Sequence, residues 1–364
     1  MMNRIERYLG QTVLLHTILV MLVLLVILSF FEFMNQLGKL SDGYTLSKGV
    51  LYTLLKVPVY GYEIFPIALL IGTLMGLGGL ANRSELTVLR VTGWSIKRIL
   101  WAVLKTALLM WLVIASLGEW LAPQSEAYAV KMRAEALNKD IAVGSGQGFW
   151  VRQDSEYIHI GQVISQNELR DLTFYRLQGN QISGFEKVAK ARFRNGSWAF
   201  YDTKNSELKW TDSPVKDFPP RLSLQQSLFD ESSGSLPLGP EDFVKLDLET
   251  RYLGVWDLYQ YINFLKENDL DAGDYELAFW KKAAMPLVVV AMISIVFPLI
   301  FGSMRQVSMG QRVFFGVLIG MGFHLLNQLL GNLSVVYHWP VMLGAFSPAL
   351  VLLLIAIFWM QRTR

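Results

Sequence analysis

The stretch Ala81–Lys97, ANRSELTVLRVTGWSIK, is a short polar interruption between two long apolar runs, and the rest of the chain is read outward from it. Ser84 suits a helix N-cap, because a serine hydroxyl can accept from a free backbone N–H of the first turn. Gly93 suits the left-handed position just past a helix end. Between them Leu86, Val88, Leu89 and Val91 supply apolar surface, while Arg83, Glu85 and Arg90 keep the segment wet. A capped helix at about 84–93, pinned between two membrane spans, is a natural cytoplasmic docking surface.

Composition agrees with a membrane setting. The chain has 364 residues, of which 52% are hydrophobic and only 17% charged. Soluble domains carry about a quarter charged residues, and here the deficit is concentrated in long blocks. The formal net charge of +3 is too small and too dispersed to argue for nucleic acid as a partner. With no cysteine, disulfides, thiolate metal sites and cysteine nucleophiles are excluded.

Taken in order, Thr12–Phe31 carries no formal charge and is long enough to cross a ~30 Å hydrocarbon core. Arg4 and Arg7 precede it as in a signal peptide, but the run is too long for a cleaved segment and is expected to stay as an anchor. Val50–Leu80 reads as a second span, with Pro58 and Pro66 able to kink it. Gly72, Gly76 and Gly79 permit close helix approach. Ile99–Gly118 reads as the third span, with Glu119 and Pro123 marking its exit. Ala283–Met304, Val313–Val336 and Trp339–Met360 make three more. The domain reading is therefore three spans in 1–121, an inserted domain in 122–279, and three spans in 280–364.

The insertion is a different material. Gly148–Arg152, Tyr157–Val163, Leu172–Leu177 and Glu207–Trp210 look like strands. Asn195-Gly196 sits between two alternating runs as a hairpin turn. The expectation is an antiparallel sandwich or jelly roll. Asp212–Pro240, rich in Pro and Ser, is expected to be irregular, and Val255–Asn268 helical. Short-loop Lys and Arg fall mostly on the side of the N-terminus, at Arg4, Arg7, Arg83, Arg90, Lys97, Arg98, Arg305, Arg312, Arg362 and Arg364, against Lys39 and Lys48 on the opposite side. The positive-inside rule then puts both termini and the 84–93 helix in the cytoplasm and the β domain outside.

Enzyme signatures are missing. There is no G-x-x-x-x-G-K-[ST], no H-E-x-x-H and no G-x-S-x-G, and the glycines at 144, 146 and 148 lack a following lysine. Four scattered histidines do not make a metal site. Glu32, Lys56, Lys105 and Glu119 lie near predicted span ends, within reach of the interface. His324, Asn327 and Gln328 share a helical face suited to bonding a neighbouring helix. Glu85 has two readings: a carboxylate favoured by the helix macrodipole, or one that pairs with a basic residue of a docked protein.

Several stretches carry a resemblance: ERYLGQ from Glu6, NRSELTVLRVTGWS from Asn82, GEWLAPQSE from Gly118, and IFGSMRQVSMGQRV from Ile300. The chain resembles, over essentially its whole length, the LptF/LptG family of lipopolysaccharide export permeases. The GEW-x-APQ and R-x-V-x-MG-x-R pieces favour the LptG branch. The resemblance implies an α-helical membrane protein with six transmembrane helices, three and three, around an inserted periplasmic antiparallel β jelly roll. It implies a Gram-negative inner-membrane subunit that pairs with an LptF-like permease and sits on an LptB-like ATPase dimer. An LptC-like protein would enter beside the first span, and lipopolysaccharide would be the cargo. ATP and Mg would belong to the ATPase, and this chain would hold no cofactor. Glu85 would contact the ATPase, with Leu86, Leu89 and Arg90 beside it. Lys39, Lys131 and Arg133 would meet the lipid phosphates, while Glu32 stands where relatives would carry lysine. The first and fifth spans would form lateral gates. From the residues alone two other classes stay open, a mechanotransmitting subunit that moves no lipid and a membrane-anchored scaffold.

Overall fold

The computed structural model describes residues 3–41, 43–137, 149–153, 156–165, 167–178, 181–194, 196–211, 221–237, 253–267, 271–303 and 307–362. Its first helix, α1 (Arg4–Leu37), begins in a capping box. The Asn3 side chain accepts from the first turn, and its backbone N–H donates to Glu6 at 3.3 Å. The helix extends well past the apolar core of its span at both ends. What reads as one second span is two helices, α2 (Leu46–Leu55) and α3 (Val57–Asn82), which meet at Lys56. Pro58 explains the break: its ring excludes the carbonyl four residues back, so it opens a helix instead of kinking one. Pro66 stays inside α3.

A seven-residue helix, α4 (Glu85–Val91), leads into α5 (Ile96–Ala136). α5 does not exit at Glu119 and Pro123 as expected but runs through both for four more turns. Its polar residues there find partners on other helices. Glu119 bonds Lys282 at 3.0 Å and accepts from the Val255 backbone N–H, so the chain has no need to leave the helix.

The inserted domain is a six-stranded antiparallel sheet. It comprises β1 (Phe149–Gln153), β2 (Glu156–Ser165), β3 (Glu168–Gln178), β4 (Gln181–Arg194), β5 (Ser197–Thr211) and β6 (Arg221–Gly234), which pair in chain order. The expected hairpin is present: Arg194 faces Ser197, and Gly196 has φ +84°. Asn195 itself lies outside the described residues, as do Gly144, Gly146 and Gly148. One stretch was misread from composition. Within Asp212–Pro240, residues 221–234 form β6, which pairs β5 from Thr211↔Arg221 to Trp198↔Gly234. Its serines and glutamines do not prevent pairing because the ladder uses only backbone groups. One face of the sheet closes over Ile158, Ile160, Leu172, Phe174, Val188 and Trp198.

Helix α6 (Val255–Glu267) buries Leu258, Ile262 and Leu265 and returns the chain to the bundle. There α7 (Gly273–Pro298), a π-helical turn (Leu299–Ser303), α8 (Met309–Val336) and α9 (Val341–Arg362) follow. Among the described residues six helices are long and apolar enough to cross a membrane: α1, α3, α5, α7 with its π turn, α8 and α9. Glycines set their spacing. A Cβ on Gly72 would lie 2.5 Å from the Thr17 backbone of α1, and one on Gly76 would press on Thr12 and His16. Gly79 faces open space instead, and it is Gly78 that meets another helix.

Candidate functional site

Two places bring the candidate residues together. At one end of the bundle, α4 is held by its own ends and by its neighbours. Its C-terminus is a Schellman motif: Trp94 N–H donates to Leu89 O at 3.0 Å and Gly93 N–H to Arg90 O at 3.1 Å. Gly93 supplies the left-handed residue, with φ +94°. The N-terminus departs from expectation. Ser84 occupies the cap position but is itself left-handed, with φ 60°, and its hydroxyl makes no cap bond. A left-handed residue there turns the chain sharply between α3 and α4. Within this segment a serine that does cap a helix is Ser95, whose hydroxyl accepts from Arg98 N–H at 3.3 Å at the start of α5.

The four candidate docking residues split by direction. Leu86 is 2% exposed and packs in the chain's own core with Leu89 half-buried beside it. A partner therefore cannot touch Leu86 in this arrangement, because i, i+3 spacing turns both leucines inward. The surface left outward carries Val88, 59% exposed, and Val91, 84% exposed, with exposed Arg90 between them. Glu85 accepts from the Tyr8 hydroxyl at 2.6 Å, so the carboxylate has a partner within its own chain. Val88 and Val91 read in the sequence as apolar surface of this helix but not as its contacts, and Tyr8 is not singled out. The heptad-like offset of Leu86 and Leu89 from Val88 and Val91 is a signal that could have found the first two.

At the other end of the bundle a polar cluster joins α1, α2, α3 and α5. Glu32 accepts from Gln36 Nε2 at 2.5 Å and from the Tyr60 hydroxyl at 2.7 Å. Tyr44, fully buried, donates to Gln36 Oε1 at 3.1 Å. Lys56 pairs with buried Glu126 at 3.2 Å. Arg133 donates to the Tyr52 hydroxyl at 2.8 Å and lies 4.7 Å from its ring centroid. These ionisable groups thus bond neighbouring helices in preference to reaching the interface. Lys39 is exposed at the end of α1, and Lys131 is exposed on α5, two residues before Arg133 and hence on a different face. The structure puts the three candidate cations at one end of the bundle, Lys39 just past α1 and the other two on α5. Glu32 is explained as the acceptor of this network. On α8, His324 and Gln328 are exposed, not turned to a neighbouring helix of the same chain.

Along the outer side of α1, an apolar groove of about 640 Å³ is lined by Ile18, Leu22, Leu25, Phe30, Leu54 and Val57, among others. It is open to the surroundings of the bundle and suits hydrocarbon.

Six spans, an inserted β domain, a greasy groove along the first span and a short helix with an outward apolar face define a transmembrane permease subunit. The sequence comparisons specify which. The family model for the lipopolysaccharide export system permease LptF/LptG matches residues 7–362. The chain is 32% identical over 362 residues to the lipopolysaccharide export system permease protein LptG of Escherichia coli K12, covering 98% of each chain. It is 32% identical over 368 residues to LptG of Haemophilus influenzae, covering 99% of this chain and 98% of that one. The chain belongs to the LptF/LptG family, and it is a lipopolysaccharide export permease of the multi-pass membrane type.

Proposed function

We propose that this permease extracts lipopolysaccharide from the inner membrane and passes it to a periplasmic bridge, driven by a separate LptB-like ATPase dimer that docks on α4. The observation that carries the reading is the outward apolar face of α4. Val88 and Val91 stand exposed on a helix whose opposite side is packed into the core, at a place flanked by Arg83, Arg90 and Lys97. An exposed apolar patch ringed by charge is what a protein partner covers. Leu86 and Leu89 anchor the helix from beneath, Arg90 adds charge at its rim, and Glu85 exchanges its Tyr8 bond for a basic group of the ATPase. Both termini and α4 then lie in the cytoplasm and the β sheet in the periplasm, as the distribution of basic residues requires. ATP and Mg reside on the ATPase, and this chain contributes no cofactor site.

Lipopolysaccharide is an amphiphile with acyl chains and phosphates, so its path needs apolar walls and cations at the rim. The groove along α1 supplies the first. Lys39, Lys131 and Arg133 supply the second, with Arg133 able to trade its Tyr52 bond for phosphate, which its planar fork suits. An LptF-like permease completes the pathway as the other half of a heterodimer, and an LptC-like protein enters beside α1. The test is purification from detergent-solubilised membranes with mass spectrometry of what accompanies the chain. An LptF-like permease, an ATPase and lipopolysaccharide together are the expected result. An ATPase without lipid would turn the reading to a mechanotransmitter, and no ATPase would remove the role of α4.

A further inference from the structure

Arg312 is the largest fully buried side chain of the described residues, at 1% exposure, and its placement is unusual for a cation. It sits in the first turn of α8, whose N-terminus is capped reciprocally by Ser308 and Gln311. The positive end of a helix disfavours a cation. The side chain instead crosses to α3 and lies against its C-terminal turn, where the dipole is negative. Its Nη2 donates to Asn82 Oδ1 at 2.6 Å. Because guanidinium has donors only, that bond fixes the amide with its oxygen towards Arg312. The aliphatic part and head of the arginine lie flat on Gly78: a Cβ there would come within 2.6 Å of Cδ and Nε and 2.7 Å of Cζ.

This contact is the polar end of a longer seam. On α8, Arg312, Gly316 and Gly320 recur every four residues and are all buried. A Cβ on Gly316 would press on Ile71 and Leu74, and one on Gly320 on Ile67, so the seam follows α3 upward. Downward it stops at Asn82, and only Arg83 and Ser84 separate Asn82 from the first residue of α4. That link has little slack. Arg83 N–H donates to Gly79 O at 3.2 Å, Ser84 N–H to Ala81 O at 3.0 Å, and Val88 N–H to Ser84 O at 3.0 Å.

We infer that Arg312 is a positioning residue that ties the start of the fifth span to α4, so that displacement of α4 resets α8 through the Asn82–Arg312 bond. The inference rests on the proposed docking of an ATPase at α4. It assigns a separate step, the passage of that motion to one particular span. Neither Arg312 nor Asn82 is part of the docking face or the lipid path.

The test uses the complete complex in proteoliposomes, with ATP hydrolysis and lipopolysaccharide release to an acceptor measured on the same sample. If the unmodified complex hydrolyses ATP without releasing lipid, the proposed function fails before Arg312 is in question. With the unmodified complex active, Asn82→Ala should keep hydrolysis within about twofold and cut lipid released per ATP at least tenfold. Asn82→Asp, which keeps the acceptor oxygen, should restore the yield. Arg312→Gln should match Asn82→Ala wherever the variant assembles, and the Asn82 pair decides the matter where it does not. An unchanged yield per ATP in Asn82→Ala overturns the inference. So does a proportional loss of hydrolysis and release, since that would place the residue in docking and not in transmission.

Discussion

Two spans of the same bundle, α3 and α8, were built for different company. In the most apolar window of α3, 72% of residues are buried, against 17% for α8. Both are apolar enough for a membrane, so hydropathy does not separate them. Glycine does. On α3, Gly72, Gly76 and Gly78 each meet a neighbouring helix, whereas on α8 Gly310 and Gly322 have nothing within 4 Å, and the glycines in use, Gly316, Gly320 and Gly331, lie along one side. An interior span is recognised by small residues on several faces, a peripheral one by small residues on a single face. The faces α8 leaves open carry Phe314, Leu318, Met321 and Leu325, with His324 and Gln328 among them. That is the surface a partner permease or a lipid would meet.

The comparison can be broken most forcefully at its polar support. Glu126→Ala on α5 removes the ion-pair partner of Lys56, whose side chain is only 12% exposed. A loss of about 3–5 kcal/mol is expected when one member of a buried ion pair is removed, read as a fall in the thermal unfolding midpoint of detergent-solubilised protein. Next, one substitution made on both spans sharpens the contrast. Gly72→Ala should destabilise by roughly 1–3 kcal/mol because the methyl group meets backbone at 2.5 Å. Gly322→Ala should be neutral or stabilising by up to about 1 kcal/mol, since alanine is the better helix former and has room. Equal unfolding midpoints for the two variants would dissolve the distinction between the spans.

At the docking end, Val91→Asp should weaken ATPase association about tenfold, the equivalent of ~1.4 kcal/mol, and leave the unfolding midpoint unchanged. Quantitative co-purification measures it. The smallest effect belongs to the β domain. Burial would raise the pKa of Glu168, but hydrogen bonds from Lys190 and Arg192 outweigh it and hold the carboxyl down at about 2. A folded-state pKa below the ordinary value of 4.5 contributes stability above that value, and the contribution is lost as pH falls through about 2. Acid titration of sheet unfolding should therefore show a decline between those limits that Glu168→Gln flattens.

Much of this was legible in the sequence because the signals were local. The Asn195-Gly196 hairpin and the Gly93 helix end follow from backbone preferences of single residues. Apolar runs locate the cores of all six spans but not every helix end, since the second run splits at Lys56 and α5 continues to Ala136. The errors share a cause, which is that pairing partners distant in sequence decide the outcome. Residues 221–234 form a strand because β5 offers a free edge, whatever their own composition. α5 continues past Pro123 because Glu119 finds Lys282, 163 residues away. Leu86 looked like a contact until the core it fills was assembled. At the rim, the sequence could name Lys39, Lys131 and Arg133 as cations but could not foresee that Tyr52 holds Arg133. Nor could it foresee that Glu32 serves Tyr60 and Gln36.

The length of α5 has a consequence for scale. Its 41 residues trace about 60 Å of helix, twice the ~30 Å hydrocarbon thickness. Even a steep tilt of about 40° uses up only some 40 Å of that contour. On the order of 20 Å is left as a stalk standing clear of the bilayer, with Arg133 near its tip and the sheet beginning beyond it. That stalk is braced and not free, since Leu253 and Leu258 pack around Ala127 and Val130 and Tyr52 of α2 holds Arg133, so the outer part of α5 is a post on which neighbouring elements are hung.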